Sequence, residues 1–107
     1  AIVDNNGLQI DGPIDDVMSP YPIVDKFKAF GWHVIEMNAH DFDDIERAFN
    51  EAETIANQPV VIVQKSVKGK GVSFMENNVS WHGSAPNAEQ YEQAMKELNE
   101  TLDSLEG

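Results

Sequence analysis

Hard oxygen donors, amines and imidazoles are the reactive inventory of this chain, since it contains no Cys. The stretch Asp4-Asn5-Asn6-Gly7-Leu8-Gln9-Ile10-Asp11-Gly12 follows a short apolar run, Ala1-Ile2-Val3, and concentrates amides, carboxylates and glycines. The amide oxygen of Asn5 or Asn6 and neighbouring backbone carbonyls suit Mg²⁺ or Ca²⁺. The same residues also make a polar turn, because Asn-Gly is a strong turn signal in itself. An EF-hand loop is excluded, because its sixth position requires Gly and here carries Gln9. Downstream, Lys68-Gly69-Lys70-Gly71 could bring backbone N–H groups to an anion with lysine charge beside them. A solvated Lys/Gly turn is the plainer use of those residues, and the Walker spacing of a P-loop is absent.

Three His complete the set. His82, in Trp81-His82-Gly83, stands in a glycine-containing loop where an imidazole could transfer a proton or touch a phosphate. His33 reads as a packing or edge residue of a strand, and His40, just ahead of a helix cap, as the maker of a local hydrogen bond. No HxxxH pair, Ser/His/Asp set or Cys/His set is present. Asp43/Asp44 suit a helix start, where the dipole favours acids, and Asp15/Asp16 fall in a loop.

The elements that must position these groups alternate in type. Ala1-Ile2-Val3 ends a buried strand. Residues 13–21, with Pro13 and Pro20, read as loop, and Pro22 opens a helix over 22–30 capped by Gly31. Trp32–Met37 reads as a strand. Asp41 then caps a helix over 42–57, with Phe42, Ile45, Phe49, Ala52 and Ile55 on one face. Pro59–Val63 is a near-continuous apolar strand, as in a parallel sheet covered on both faces. Strand, helix, strand, helix, strand argues for an α/β unit of three parallel strands with flanking helices and right-handed crossovers. Residues 66–86 form a long loop with little structure of its own. Asn87 caps the last helix with Gln90 as its capping-box partner. Its apolar stripe, Tyr91, Met95, Leu98, Leu102 and Leu105, could dock on the domain or pair with another helix, and docking is favoured because a sustained coiled coil needs more heptads.

Composition bounds the function. At 107 residues the chain is one small domain or a piece of one. A net charge of −12, from 19 acids against 7 bases, argues against nucleic acid or an anionic membrane as main partner. It leaves room for a small anion held by one Lys and oriented N–H groups. No apolar run is long enough for a membrane helix and no signal-peptide pattern opens the chain, which is compatible with a reducing cytoplasm. A beginning in mid-strand at Ala1 suggests that an upstream part is missing.

Taken in order and spacing, Asp4–Gly12, Phe30-Gly31-Trp32-His33-Val34, Lys68-Gly69-Lys70-Gly71 and Trp81-His82-Gly83 resemble transketolase, most closely its N-terminal, thiamine diphosphate-binding section. The resemblance covers essentially all 107 residues and looks most similar to split forms with N- and C-terminal subunits on separate chains. It implies a partial thiamine diphosphate-binding fold. Asn6 matches a metal-binding Asn, the Leu8 carbonyl matches the next ligand, and Ile10 matches an apolar contact to the thiazolium region. Lys68 and His82 match residues near the diphosphate and the reacting centre, His82 assisting proton transfer and Lys68 balancing phosphate charge. The implied cofactors are thiamine diphosphate and Mg²⁺, with Ca²⁺ as a substitute. The implied partners are sugar phosphates, the remainder of the enzyme and a second copy in a homo-oligomer. The family's Gly-Asp-Gly metal motif and its activating Glu are absent from this chain. Dihydroxyacetone synthase and deoxyxylulose-phosphate synthase are the rival thiamine enzymes. The rival of another class is a non-catalytic acidic interaction module using the last helix. Under the leading reading, Leu8, Lys68 and His82 gather at the carboxyl-end side of the sheet, on the edge that carries Asn6.

Overall fold

The computed structural model describes residues 1–106. In chain order the elements are β1 (Ile2–Asn5), β2 (Leu8–Gln9), β3 (Gly12–Pro13), α1 (Ile14–Met18), α2 (Ile23–Ala29), β4 (His33–Asn38), α3 (Phe42–Thr54), β5 (Val60–Lys65) and α4 (Ala88–Glu106), with a 3₁₀ turn at Val79–His82 before α4. β1, β5 and β4 form a parallel sheet in that order. Ile2 lies beside Ile62, and Ile62 beside Ile35. The three parallel strands and the flanking helices expected from the apolar alternation are therefore present, with the most apolar strand, β5, in the middle.

The core is built on both faces of β5. Alternate residues point to opposite faces. Ile35, Met37 and Ile62 pack under Ile45, Ala48 and Ala52 of α3. Ala48 has no exposed surface, and its small side chain lets the helix approach the sheet. Val61 and Val63 are buried on the opposite face, toward α2. Fully burying a Val contributes about 1.5–3 kcal/mol, so this face is a real part of the core.

Local chemistry sets the helix ends. Asp41 Oδ1 accepts from Asp43 N at 3.0 Å and from Asp44 N at 3.3 Å, as its N-cap role requires. Asn87 and Gln90 exchange two 2.9 Å bonds in a capping box. α2 ends in a Schellman motif: Trp32 N donates to Phe27 O at 3.1 Å, Gly31 N donates to Lys28 O at 2.9 Å, and Gly31 takes φ +81. The accompanying apolar contact is an edge-to-face pair of Phe27 and Trp32, centroids 5.3 Å apart.

Four sequence expectations need correction. Residues 13–21 are not all loop, since α1 occupies Ile14–Met18. The Asp4–Gly12 stretch contains a small antiparallel pair, β2 with β3, closed by Ile14 N donating to Gly7 O at 2.9 Å. α3 stops at Thr54 rather than 57, because Asn57 adopts a left-handed φ of +62 before Pro59. The 66–86 segment is a run of hydrogen-bonded turns and the 3₁₀ turn, centred on Phe74 and Trp81, whose rings lie 5.3 Å apart.

α4 docks less than its stripe suggests. Ala94 is buried and Glu97 accepts from Ser73 N at 2.6 Å. Tyr91, Met95, Leu98, Leu102 and Leu105 remain between 38 and 77% exposed. The molecule is a plate of 49 × 39 × 15 Å with a radius of gyration of 16.8 Å, against about 13 Å for a compact chain of this length. No helix among the described residues is long and apolar enough to cross a membrane.

Candidate functional site

β1 delivers the Asn5-Asn6-Gly7 turn to the carboxyl end of the sheet, where open α/β sheets bind ligands. Two side chains hold the turn. Tyr21 Oη donates to Asn5 Oδ1 at 2.7 Å, which occupies Asn5 away from Asn6. Asp4 accepts from Asn6 Nδ2 at 3.4 Å and also bonds Ser66 Oγ, at the end of β5. With its nitrogen turned to Asp4, the Asn6 amide directs its oxygen to Leu8, whose N–H donates to Oδ1 at 2.9 Å.

The Leu8 carbonyl follows from the ladder. Ile14 N donates to Gly7 O, so Gly7 and Ile14 are the hydrogen-bonded pair, and Leu8 opposite Pro13 is not. Leu8 therefore turns both its N–H and its C=O away from β3. The N–H meets Asn6, and the C=O lies on the same outer side.

A cleft of about 330 Å³ is lined by Asn6, Leu8, Gln9, Ile10, Lys68 and His82. All five residues singled out in the sequence meet there, together with Gln9, which sits between two of them in the strand–turn motif and was not singled out. Lys68 is half-buried and His82 exposed. The site is assembled across more than fifty residues by the turns of 66–86, which return the chain from β5 to the β2–β3 pair. A larger open groove, of about 860 Å³, runs along the carboxyl ends of β1, β5 and β4 past Asn6, Tyr21, His40 and Lys65. Asn6 borders both. The larger groove also holds a lysine, an imidazole and oxygen donors, in Lys65, His40 and Asn38. The smaller cleft is the candidate site because Leu8, Ile10, Lys68 and His82 join Asn6 only there.

The turn around Lys68 departs from the sequence reading. Gly71 N donates to Glu76 Oε1 at 3.0 Å, and Lys70 Nζ pairs with the same oxygen at 3.2 Å. These two groups serve the fold instead of an anion, and of the Lys68–Gly71 run only Lys68 lines the cleft. The Gly71 amide first, then Lys70, hold the Glu76 carboxyl below its ordinary range. Gly69 is required by space as well as by φ +70: a Cβ there would meet Met75 Cβ and O at 2.6 Å.

His40 is not confined to a local bond either. Its Nε2 accepts from Val67 N, 27 residues away, at 2.8 Å. His33, on edge strand β4, keeps its assigned edge position and reaches Glu51 Oε1 at 2.9 Å.

The donor set suits part of a diphosphate–metal group. Asn6 Oδ1 and the Leu8 carbonyl are hard oxygens on one side of the hairpin, and a lysine and an imidazole line the same cleft. Among the described residues no cluster of three or more His, Asp or Glu could hold a metal, so the fit is to one wall of such a site.

Comparisons with known proteins identify the family. A family model described as "Transketolase, thiamine diphosphate binding domain" matches residues 1–102. The chain is 43% identical over 106 residues to one of the subunits of an apulose-4-phosphate transketolase from Phocaeicola vulgatus, covering 99% of this chain and 38% of that protein. It is 34% identical over 106 residues to human transketolase, covering 97% of this chain and 16% of that one. The crystal structure of Campylobacter jejuni transketolase superposes with a TM-score of 0.84 at 26% identity, over 92% of this chain and 15% of the other. The chain thus spans well under half of the curated relatives it matches. By sequence and by fold, it belongs to the transketolase family, as part of the thiamine diphosphate-binding domain.

Proposed function

We propose that this chain supplies the wall of a transketolase active site that faces the metal and diphosphate of thiamine diphosphate. The observation that carries the reading is the convergence of Asn6, Leu8, Ile10, Lys68 and His82 on one cleft. Asn6 Oδ1 and the Leu8 carbonyl would hold Mg²⁺, or Ca²⁺ in its place, as two hard ligands of a six-oxygen shell. Lys68 would offset phosphate charge, and Ile10 would give the thiazolium region an apolar contact. His82, exposed at the mouth of the cleft, would orient substrate and move a proton at its ring nitrogen. Thiamine diphosphate, when bound, supplies the carbanion chemistry by which a two-carbon ketol unit passes from a ketose phosphate to an aldose phosphate.

The remaining metal and cofactor contacts would come from the rest of the enzyme, including a C-terminal section on the same or a separate chain. The similarity to the Phocaeicola protein, whose name makes it one of several chains of its enzyme, supports that division. So does 36% identity, over 98 residues, to one of the subunits of a 6-deoxy-6-sulfo-D-fructose transketolase from Clostridium, of which the chain covers 36%. We place the enzyme in the cytoplasm as a homo-oligomer acting on sugar phosphates.

The test uses the complete enzyme that contains this chain. Lys68→Ala should raise the Kd for thiamine diphosphate about 10- to 100-fold, the size of a lost charge-assisted hydrogen bond. His82→Ala should lower kcat for ketol transfer at saturating cofactor. Unchanged cofactor affinity in Lys68→Ala together with unchanged kcat in His82→Ala would overturn the reading.

A further inference from the structure

We propose that His40 is a positioning residue for Lys68: by accepting the Val67 N–H, it holds the loop that carries the Lys68 side chain into the cofactor cleft. The inference rests on the reading of Lys68 as a diphosphate contact.

The bond from Val67 N to His40 Nε2 is 2.8 Å long and joins the β4–α3 loop to the residue immediately before Lys68. The loop beneath the ring is itself fixed. Ala39 N donates to Lys65 O at 3.0 Å, His40 N donates to Asn38 Oδ1 at 3.1 Å, and Asn38 N donates to Asp44 Oδ2 at 2.7 Å. The imidazole is thus mounted on the end of β5 and the first turn of α3. On the other side, the Lys68 carbonyl accepts from Asn77 N at 3.0 Å. The backbone around Lys68 is held just before the residue and at it, and His40 provides the first hold.

This hold depends on protonation. Nε2 accepts only in the neutral ring with its proton on Nδ1, because an imidazolium has two donors and no acceptor. Glu76 lies close enough to feel the ring's charge. Glu36, Asp44 and Lys65 share the groove with it, and Asp41 follows it in the chain. Protonation would release the Val67 amide and loosen Lys68.

The experiment titrates the complete enzyme with thiamine diphosphate and Mg²⁺ by calorimetry, at neutral and mildly acidic pH. His40→Ala should raise Kd about tenfold at neutral pH, the scale of one hydrogen bond, and leave kcat at saturating cofactor within about twofold. His40→Gln presents a non-titrating oxygen to the same N–H, so it should keep the neutral-pH affinity and lose the acid-dependent weakening. His82 is present in both proteins, so the difference between the two pH profiles reports His40. The double variant Lys68→Ala/His40→Ala should bind no worse than Lys68→Ala, because His40 acts through Lys68. If Lys68→Ala alone leaves Kd unchanged, the site reading fails and takes this inference with it. If Lys68→Ala weakens binding while His40→Ala does not, or if the two effects add, only the positioning role is overturned. Should His40→Ala fail to fold, a His40→Gln enzyme with the wild-type pH profile would overturn it equally.

Discussion

Asn6 Oδ1 lies 2.9 Å from the backbone nitrogen of Leu8, and this contact turns the side-chain oxygen and the neighbouring backbone toward one another across Gly7. Asn5, one residue earlier, is engaged by Tyr21 Oη at 2.7 Å. Two adjacent, identical residues therefore have different work.

Asn6→Ala in the complete enzyme should raise the Mg²⁺-dependent Kd for thiamine diphosphate by tenfold or more, because it removes a hard ligand. The lost turn bond should cost only about 0.5–1.5 kcal/mol of stability. Asn5→Ala should leave the cofactor Kd within about threefold, since its loss touches Tyr21 and no ligand. Parallel calorimetry and urea denaturation check both, and equal cofactor affinities would count against the assignment.

Glycine substitutions should separate space from conformation. Gly31 takes φ +81 with nothing within 4 Å of a Cβ, so Gly31→Ala should cost about 1–2 kcal/mol. At Gly69, φ +70 is joined by a 2.6 Å clash with Met75 backbone. Gly69→Ala should therefore cost more and speed amide exchange through 66–86, where Gly31→Ala should not. Denaturation midpoints and hydrogen exchange measure the contrast.

Acid should loosen α4 from the Ser73 turn. The Ser73 N–H, then its hydroxyl and Gln93, hold the Glu97 carboxyl below its ordinary 4.5. Glu76 is held down chiefly by the Gly71 amide, and Asp44 chiefly by the Asn38 amide. A depressed folded-state pKa contributes stability above the unfolded value, and that stability is lost as pH falls through the folded one. The contribution of these three carboxylates should thus be flat above about pH 5 and decline below pH 4.5. Glu97→Gln should flatten part of that decline in circular-dichroism melts, and a Glu97→Gln chain with the wild-type slope would contradict this account.

The chain by itself should bind thiamine diphosphate with Mg²⁺ more weakly than micromolar and show no ketol transfer. Mg²⁺ is usually held through at least one carboxylate or phosphate, and the described residues offer no cluster of acids or imidazoles for it. The unpaired side of β1 and the exposed Leu98 and Leu102 of α4 should drive self-association. Sedimentation of the purified chain, beside a Leu98→Glu/Leu102→Glu variant, reads the second claim. Tight cofactor binding with turnover and no other chain present would refute the first.

The sequence by itself determined the three parallel strands, the three longer helices and most of their ends, but not α1, the β2–β3 pair or the end of α3. Apolar alternation marked β4 and β5, helical spacing marked α3 and α4, and Asp41, Gly31 and the Asn87/Gln90 pair closed their helices as residue type requires. These are interactions within a few residues, so their energies are written in local order. The resemblance to transketolase, in turn, marked Asn6, Leu8, Ile10, Lys68 and His82. Only the tertiary structure decided that β5 lies between β1 and β4, and that the turns of 66–86 are what bring Lys68 and His82 to the hairpin, a convergence expected from the family resemblance alone. It alone directed Gly71 and Lys70 to Glu76. It also gave His40 the Val67 amide in place of a neighbour, and it left most of the α4 stripe exposed. Such contacts join residues far apart in the chain. They depend on which surfaces the packed sheet brings together, and no spacing along the sequence encodes that geometry.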